Sequence, residues 1–202
     1  MANTNTPFGL SPVGTISGQS WNQAGRLYCI ANDASNSYAI GDAVKIATGS
    51  DANGVPYVTK ITTPATDIPL GIIVGIRTAD PGTSLQGNDL KLSQNYLPVN
   101  SGVHYAYVVD DPDIIFLAQT DSTAITASNM SQNATMTITA NQTTLSMTSP
   151  QSSTVLTGLA TTSTLPIHII GLAQAPNNSV GAYAKVLCVW NKHQYFGGNA
   201  GA

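Results

Sequence analysis

The chain has 202 residues, a formal net charge of −3 and a charged fraction of only 8%, with no glutamate anywhere, against about 25% charged residues in an ordinary soluble domain. Solvent-facing helices draw their outer face from Glu, Lys, Gln and Arg, because these lose little rotamer freedom in a helical turn, so this composition argues against a helical protein and for a mostly β chain with a neutral Thr/Ser/Asn surface. Seven basic residues scattered along the chain form no stripe, which argues against direct phosphate-driven binding of nucleic acid, and no run of 18 or more apolar residues is present to span a bilayer as a helix.

Residues 1–20 combine Pro7, Pro12, Gly9, Gly14 and Gly18 with small polar residues and are predicted to form an extended N-terminal arm. Its apolar side chains, Phe8, Leu10, Val13 and Ile16, are unexpected in a flexible tail and are the candidate partner-binding residues. The start of the chain has neither the charged residues nor the apolar run of a secretory signal, and synthesis in the cytoplasm is expected. A first strand is predicted within Trp21–Ile30, with Arg26, Tyr28 and Ile30 on one face and Leu27, Cys29 and Ala31 on the other.

Strand-like runs and turn signals then alternate: Tyr38–Ile46 around Gly41-Asp42, Tyr57–Ile61 after Asn53-Gly54, and Ile68–Arg77 ahead of Asp80-Pro81-Gly82. The run Ile68–Ile76 is apolar on both faces, as in a covered central strand, and Gly71 and Gly75 mark bulges or close backbone approach. Val103–Val109 and Ile114–Gln119 flank Asp110-Asp111-Pro112-Asp113, a turn sequence that predicts a hairpin.

Residues 121–165 are a low-complexity Ser/Thr-rich insert without lysine, arginine or glutamate. The alternation in Thr135–Thr139 and Thr144–Thr148 around Asn141-Gln142 predicts a thin, projecting β-hairpin. Closing strands are expected in Pro166–Gln174 and Ala182–Trp190, separated by a turn at Pro176-Asn177-Asn178, with a flexible tail at 197–202. The whole reads as a single β-sandwich domain over 21–196.

Motifs of catalysis are missing: the sequence holds no HExxH, CxxC, Walker or GxSxG pattern. Asp110, Asp111 and Asp113 could offer oxygen ligands to a hard cation, but a turn explains them, since an EF-hand loop needs carboxylates at fixed alternate positions and a terminal glutamate. His104, His168 and His193 are isolated, and Cys29 and Cys188, 159 positions apart in apolar contexts, read as buried free thiols. The N-x-[ST] matches at Asn129, Asn133, Asn141 and Asn177 are expected by chance in such a composition. No enzyme activity, cofactor or metal site is expected.

Several phrases in order along the chain resemble a family of head proteins from tailed bacteriophages: Pro7-Phe8-Gly9-Leu10-Ser11-Pro12, Tyr38-Ala-Ile-Gly-Asp-Ala-Val44, Val108-Val-Asp-Asp-Pro112, and Gly181-Ala-Tyr-Ala-Lys185 followed by Asn191-Lys-His193. The resemblance is to capsid cement, or decoration, proteins of short-tailed phages, and the insert at 121–165 matches least. It implies a jelly-roll-like β-sandwich and a virion structural protein on the capsid exterior, with the major capsid protein and copies of itself, as a homodimer or homotrimer, as partners. The alternative is a glycan-binding head or tail fibre module; the insert contains no aromatic residue for stacking on sugars, which favours the structural role.

Overall fold

A computed structural model describes residues 3–31, 33–77, 96–99, 103–143, 145 and 150–196. The chain is all-β, with several sheets packed together, and a single 3₁₀ turn at Ala127–Asn129 is the one helical element among these residues. In chain order the strands are β1 (Leu10–Thr15), β2 (Arg26–Ile30), β3 (Tyr38–Ala39), β4 (Ala43–Ser50), β5 (Pro56–Lys60), β6 (Gly71–Arg77) and β7 (Tyr96–Leu97). They continue with β8 (His104–Val109), β9 (Ile114–Gln119), β10 (Asn133–Thr137), β11 (Val155–Ala160), β12 (Ile167–Leu172) and β13 (Lys185–Trp190).

Strands β2-β5-β4-β6-β8 close into a barrel, β1-β9-β13-β12-β10-β11 form a six-stranded sheet, and β3 and β7 pair as a short ribbon. Closure of one sheet on itself was not signalled by the strand pattern. The barrel is filled by Tyr28, Ile30, Val44, Val58, Leu70, Ile73, Ala106 and Val108. Its outer wall contributes Ala43, Ile61, Ile72 and Val109 to a second core, completed from the six-stranded sheet by Phe116, Ala134, Met136, Leu156, Ile167, Ile169, Val186 and Cys188. Successive side chains on a strand point to opposite faces, so adjacent Ile72 and Ile73 serve different cores. That is the covered central strand read from the two-sided apolar run.

The two glycines flagged in that run have the expected roles. The ladder to β8 slips between Ile73 and Gly75, and a side chain at Gly71 would run into the Val109 carbonyl.

The expected hairpin at residues 110–113 is corrected. The turn forms, with the Asp113 amide donating to Asp111 Oδ1 at 2.9 Å, but β8 pairs with β2 and β6 whereas β9 pairs with β1 and β13. The aspartate turn therefore carries the chain from barrel to sheet. Val109 and Ile114 on either side of it both enter the shared core, and burying them there outweighs local pairing.

The insert is also differently built from the projecting flap expected. Strand β10 pairs with β11 on one side and β12 on the other, so it lies inside the sheet. Ala134, Met136 and Leu156 are buried in the core, and this apolar register selects Val155–Ala160 as the partner of β10. Thr144 and residues 146–149, with the Asp80-Pro81-Gly82 turn and the 197–202 tail, lie outside the described residues. The two closing strands form as expected, β12 and β13, and pair antiparallel, with Asn177 in the left-handed region at φ 62° in the intervening turn.

Candidate functional site

The four arm residues singled out from sequence separate into three environments. Leu10 is 1% exposed within the sheet core. It is therefore part of the fold and not free to dock elsewhere, a correction to its expected role. Phe8 is half-buried, and the Lys185 ammonium sits 5.9 Å from its ring centroid, within cation–π range. Val13 and Ile16 are exposed, at 44% and 61%.

The arm is held along its length by its own chain. Asn3 Nδ2 donates to the Ser179 and Ala182 carbonyls, both at 2.8 Å, and its Oδ1 accepts from the Ser179 amide. Gln119, fully buried, donates to the Thr4 carbonyl and accepts from the Thr6 amide. Leu10 N–H donates to the Gly41 carbonyl at 3.0 Å, after which residues 10–15 pair with β9. The arm is thus the edge strand of the six-stranded sheet. Proline is tolerated at such an edge because it lacks an N–H, and Pro12 stands beside a register shift before Gly14. Beyond it, Thr15 and Gln19 close a small loop through the Thr15 amide and the Gln19 carbonyl.

Behind this edge lies an apolar hollow of about 510 Å³, with Pro7, Phe8, Pro12, Trp21, Val74 and Lys185 in its lining. A second cavity, about 470 Å³, opens where the loop after β1 meets the β8–β9 turn, and Trp21, Arg26, Asp110 and Asp111 help to line it. There Arg26 Nη1 lies 3.1 Å from Asp110 Oδ2, which also accepts from the Tyr28 hydroxyl at 2.6 Å. Tyr28 OH lies 2.7 Å from Tyr195 OH. Burial first, then the hydrogen bonds to Asp110 and Tyr195, hold the Tyr28 phenol protonated well above its ordinary range.

A separate buried centre joins the barrel to the insert. Lys60 Nζ lies 2.8 Å from Asp42 Oδ2, with both side chains fully buried. Lys60 also donates to the Ser37 carbonyl, while Asp42 accepts from the Ala39 amide, Ser152 Oγ and Gln142 Nε2. The groups come from four parts of the chain: residues 37–42, Lys60, Gln142 and Ser152. These contacts tie the barrel to the 142–152 segment, and the centre is a structural clasp.

The remaining candidate groups stay apart. Cys29 and Cys188 are buried and not joined in a disulfide, and burial pushes the Cys188 thiol up to about 12. His168 lies 2.7 Å from Asn133 Oδ1, while His193 Nδ1 accepts from the Tyr195 amide. Among the described residues no group of three His, Cys, Asp or Glu side chains is arranged to hold a metal ion.

Sequence reasoning missed the clasp and the 470 Å³ cavity. Neither has a local signature: Asp42 and Gln142 are 100 positions apart, and Trp21 and Asp110 meet only because β1 docks on β9. Comparison with known protein families, with curated proteins and with solved structures found no match.

Proposed function

We propose that the chain is a virion structural protein, a capsid cement or decoration protein, that binds the outer surface of a phage head and stabilises the shell by bridging major capsid protein subunits. The observation carrying this reading is the edge strand β1, which offers Val13, with Ile16 just beyond its end, to solvent at the margin of a sheet. An exposed strand edge is a template for a neighbour's backbone, and two apolar side chains beside it supply burial once a partner arrives, about 1.5–3 kcal/mol each when fully covered. The phrases resembling phage head proteins support the same role.

In this reading the protein acts as a homodimer or homotrimer, which presents one patch several times and turns modest contacts into strong attachment. It needs no cofactor, metal or catalysis, and it contacts neither packaged DNA nor a membrane. Few interface ion pairs are available to be screened, so attachment resists salt. The test is binding of purified protein to empty heads, with densitometry of intact virions. Hundreds of copies per particle and attachment that survives molar sodium chloride are expected; about a dozen copies, or release by moderate salt, would overturn the reading.

A further inference from the structure

We propose that the cavity between the loop after β1 and the β8–β9 turn is a binding site for a neutral pyranose. The site is independent of the decoration role and of the strand edge used there. At about 470 Å³ it lies within the span of roughly 300–1,000 Å³ typical of small-ligand pockets. Its lining combines one aromatic platform, Trp21, with Gln19, Asn22, Arg26, Asp110 and Asp111.

The loop that presents Trp21 is fixed in advance of any ligand. Gly14 and Ser20 form a bridge, Asn22 Oδ1 accepts from the Ala24 amide, and Gln23 holds the left-handed region at φ 63°, a conformation that costs a non-glycine residue energy and so needs its surroundings to impose it. The Trp21 indole N–H donates to the Ala24 carbonyl at 3.2 Å. The polar edge of the ring is therefore committed, while its apolar surface partly packs on the sheet core and partly lines the cavity. Aromatic faces stack on the C–H surface of a sugar ring.

The polar groups match hydroxyls better than ions. Asp110 Oδ2 is taken by Arg26 and Tyr28, and Asp111 Oδ1 by the Asp113 amide. Each carboxylate keeps its second oxygen available as an acceptor, while the amides of Gln19 and Asn22 and the 67% exposed Arg26 side chain bring donors. Adjacent sugar hydroxyls need this mixture of acceptors and donors. Two aspartates against one arginine leave the lining net negative, which disfavours phosphate or carboxylate ligands. The Arg26 guanidinium, 3.1 Å from Asp110 Oδ2, disfavours a second cation there.

Intrinsic fluorescence of the full chain reads the site directly. Only two tryptophans are present, and Trp190 is 8% exposed in the core, so a change on ligand addition reports Trp21. The probes are methyl glucoside, galactoside and mannoside, N-acetylglucosamine, and the corresponding di- and trisaccharides, with inorganic phosphate and calcium chloride as ionic controls. At least one sugar is expected to give saturable binding in the millimolar range, weakened at least about tenfold by D111N, whose amide oxygen keeps the turn, and lost in W21A. Affinity rising from one ring to three supports the site and assigns a surface polysaccharide; affinity unchanged with length supports it and assigns a free sugar. No response to any sugar, a response only to phosphate or calcium, or sugar binding unchanged in D111N would overturn the proposal.

Discussion

Gly9 and Gly41 meet backbone to backbone: a Cβ on Gly9 would stand 2.5 Å from the Gly41 carbonyl oxygen, and one on Gly41 would stand 2.6 Å from the Phe8 carbonyl oxygen. Both lie at positive φ, 75° and 90°. The segments Pro7–Pro12 and Tyr38–Val44 are thereby one joint in space. Lys185 adds its ammonium over the Phe8 ring at the same joint.

Replacing Gly41 by alanine adds a left-handed penalty to a backbone collision. It is expected to destabilise the fold by at least about 2 kcal/mol, read as a lower midpoint in urea. An unchanged midpoint would mean that the arm does not seat against Gly41.

The clasp of Asp42 and Lys60 gives an asymmetric prediction. Removing one charge strands the other, so Asp42→Ala is expected to cost roughly 3–5 kcal/mol. Replacing both by apolar residues of similar size should cost much less than the sum of the single changes. A double-mutant cycle by denaturant unfolding measures this coupling; additive losses would contradict the clasp.

Acid should weaken the fold in two stages. Burial depresses His193 below its ordinary 6.5, partly offset by the Leu70 backbone and the charges of Asp110 and Asp111, and burial likewise depresses His104. The unfolded chain then takes up protons at a pH where the folded chain does not. Stability from these histidines is full above about pH 7 and declines as pH falls from 6.5 towards their folded values. For Asp67, burial opposes ionisation but is outweighed by Lys45 and the Thr62 and Thr63 amides. Its carboxyl is held below the ordinary 3.8, and its contribution disappears only as pH falls further, through that depressed value. Thermal melts from pH 8 to 3 should show both stages, with His193→Gln flattening the first.

Substituting serine at both Val13 and Ile16 separates docking from folding. Because both side chains are exposed, the melting temperature should hardly move, while binding to empty heads should weaken at least about tenfold, or roughly 1.4 kcal/mol. Full binding by the double variant would remove these residues from the interface.

The buried thiols should be silent. In the native protein Cys188 is expected to resist a thiol reagent until denaturant is added, and the chain should run identically on reducing and non-reducing gels. Rapid native labelling would contradict its placement in the core.

Local chemistry made most strands legible. The bounds of Ile114–Gln119 match the reading, and the long apolar run announced β6 between two cores. What local chemistry could not convey was pairing across distance. The aspartate turn was recognised, but whether its flanking strands stay together depends on Val109 and Ile114 sharing a core with residues far along the chain. The alternation around Met136 was recognised too, but its partner was set by Leu156. At the arm, apolar content was visible, whereas the division between Leu10 inside and Val13 and Ile16 outside arises from docking on β9.

The seating of Asn3 and Thr4 by residues 119 and 179–182 has a consequence for biosynthesis. Asn3 is bonded to Ser179 and Ala182, and the Gln119 side chain that holds Thr4 also donates to the Tyr183 carbonyl. In a nascent chain Asn3 therefore has these bonds only after residues 179–183 have left the ribosome. The Leu10–Thr15 strand gains its sheet partner only once residues 114–119 have been made, and contacts so distant in sequence form slowly. In that interval the same stretch is open to an equivalent segment on a neighbouring nascent chain, so crowded polysomes would favour intermolecular strand exchange and slower synthesis would suppress it.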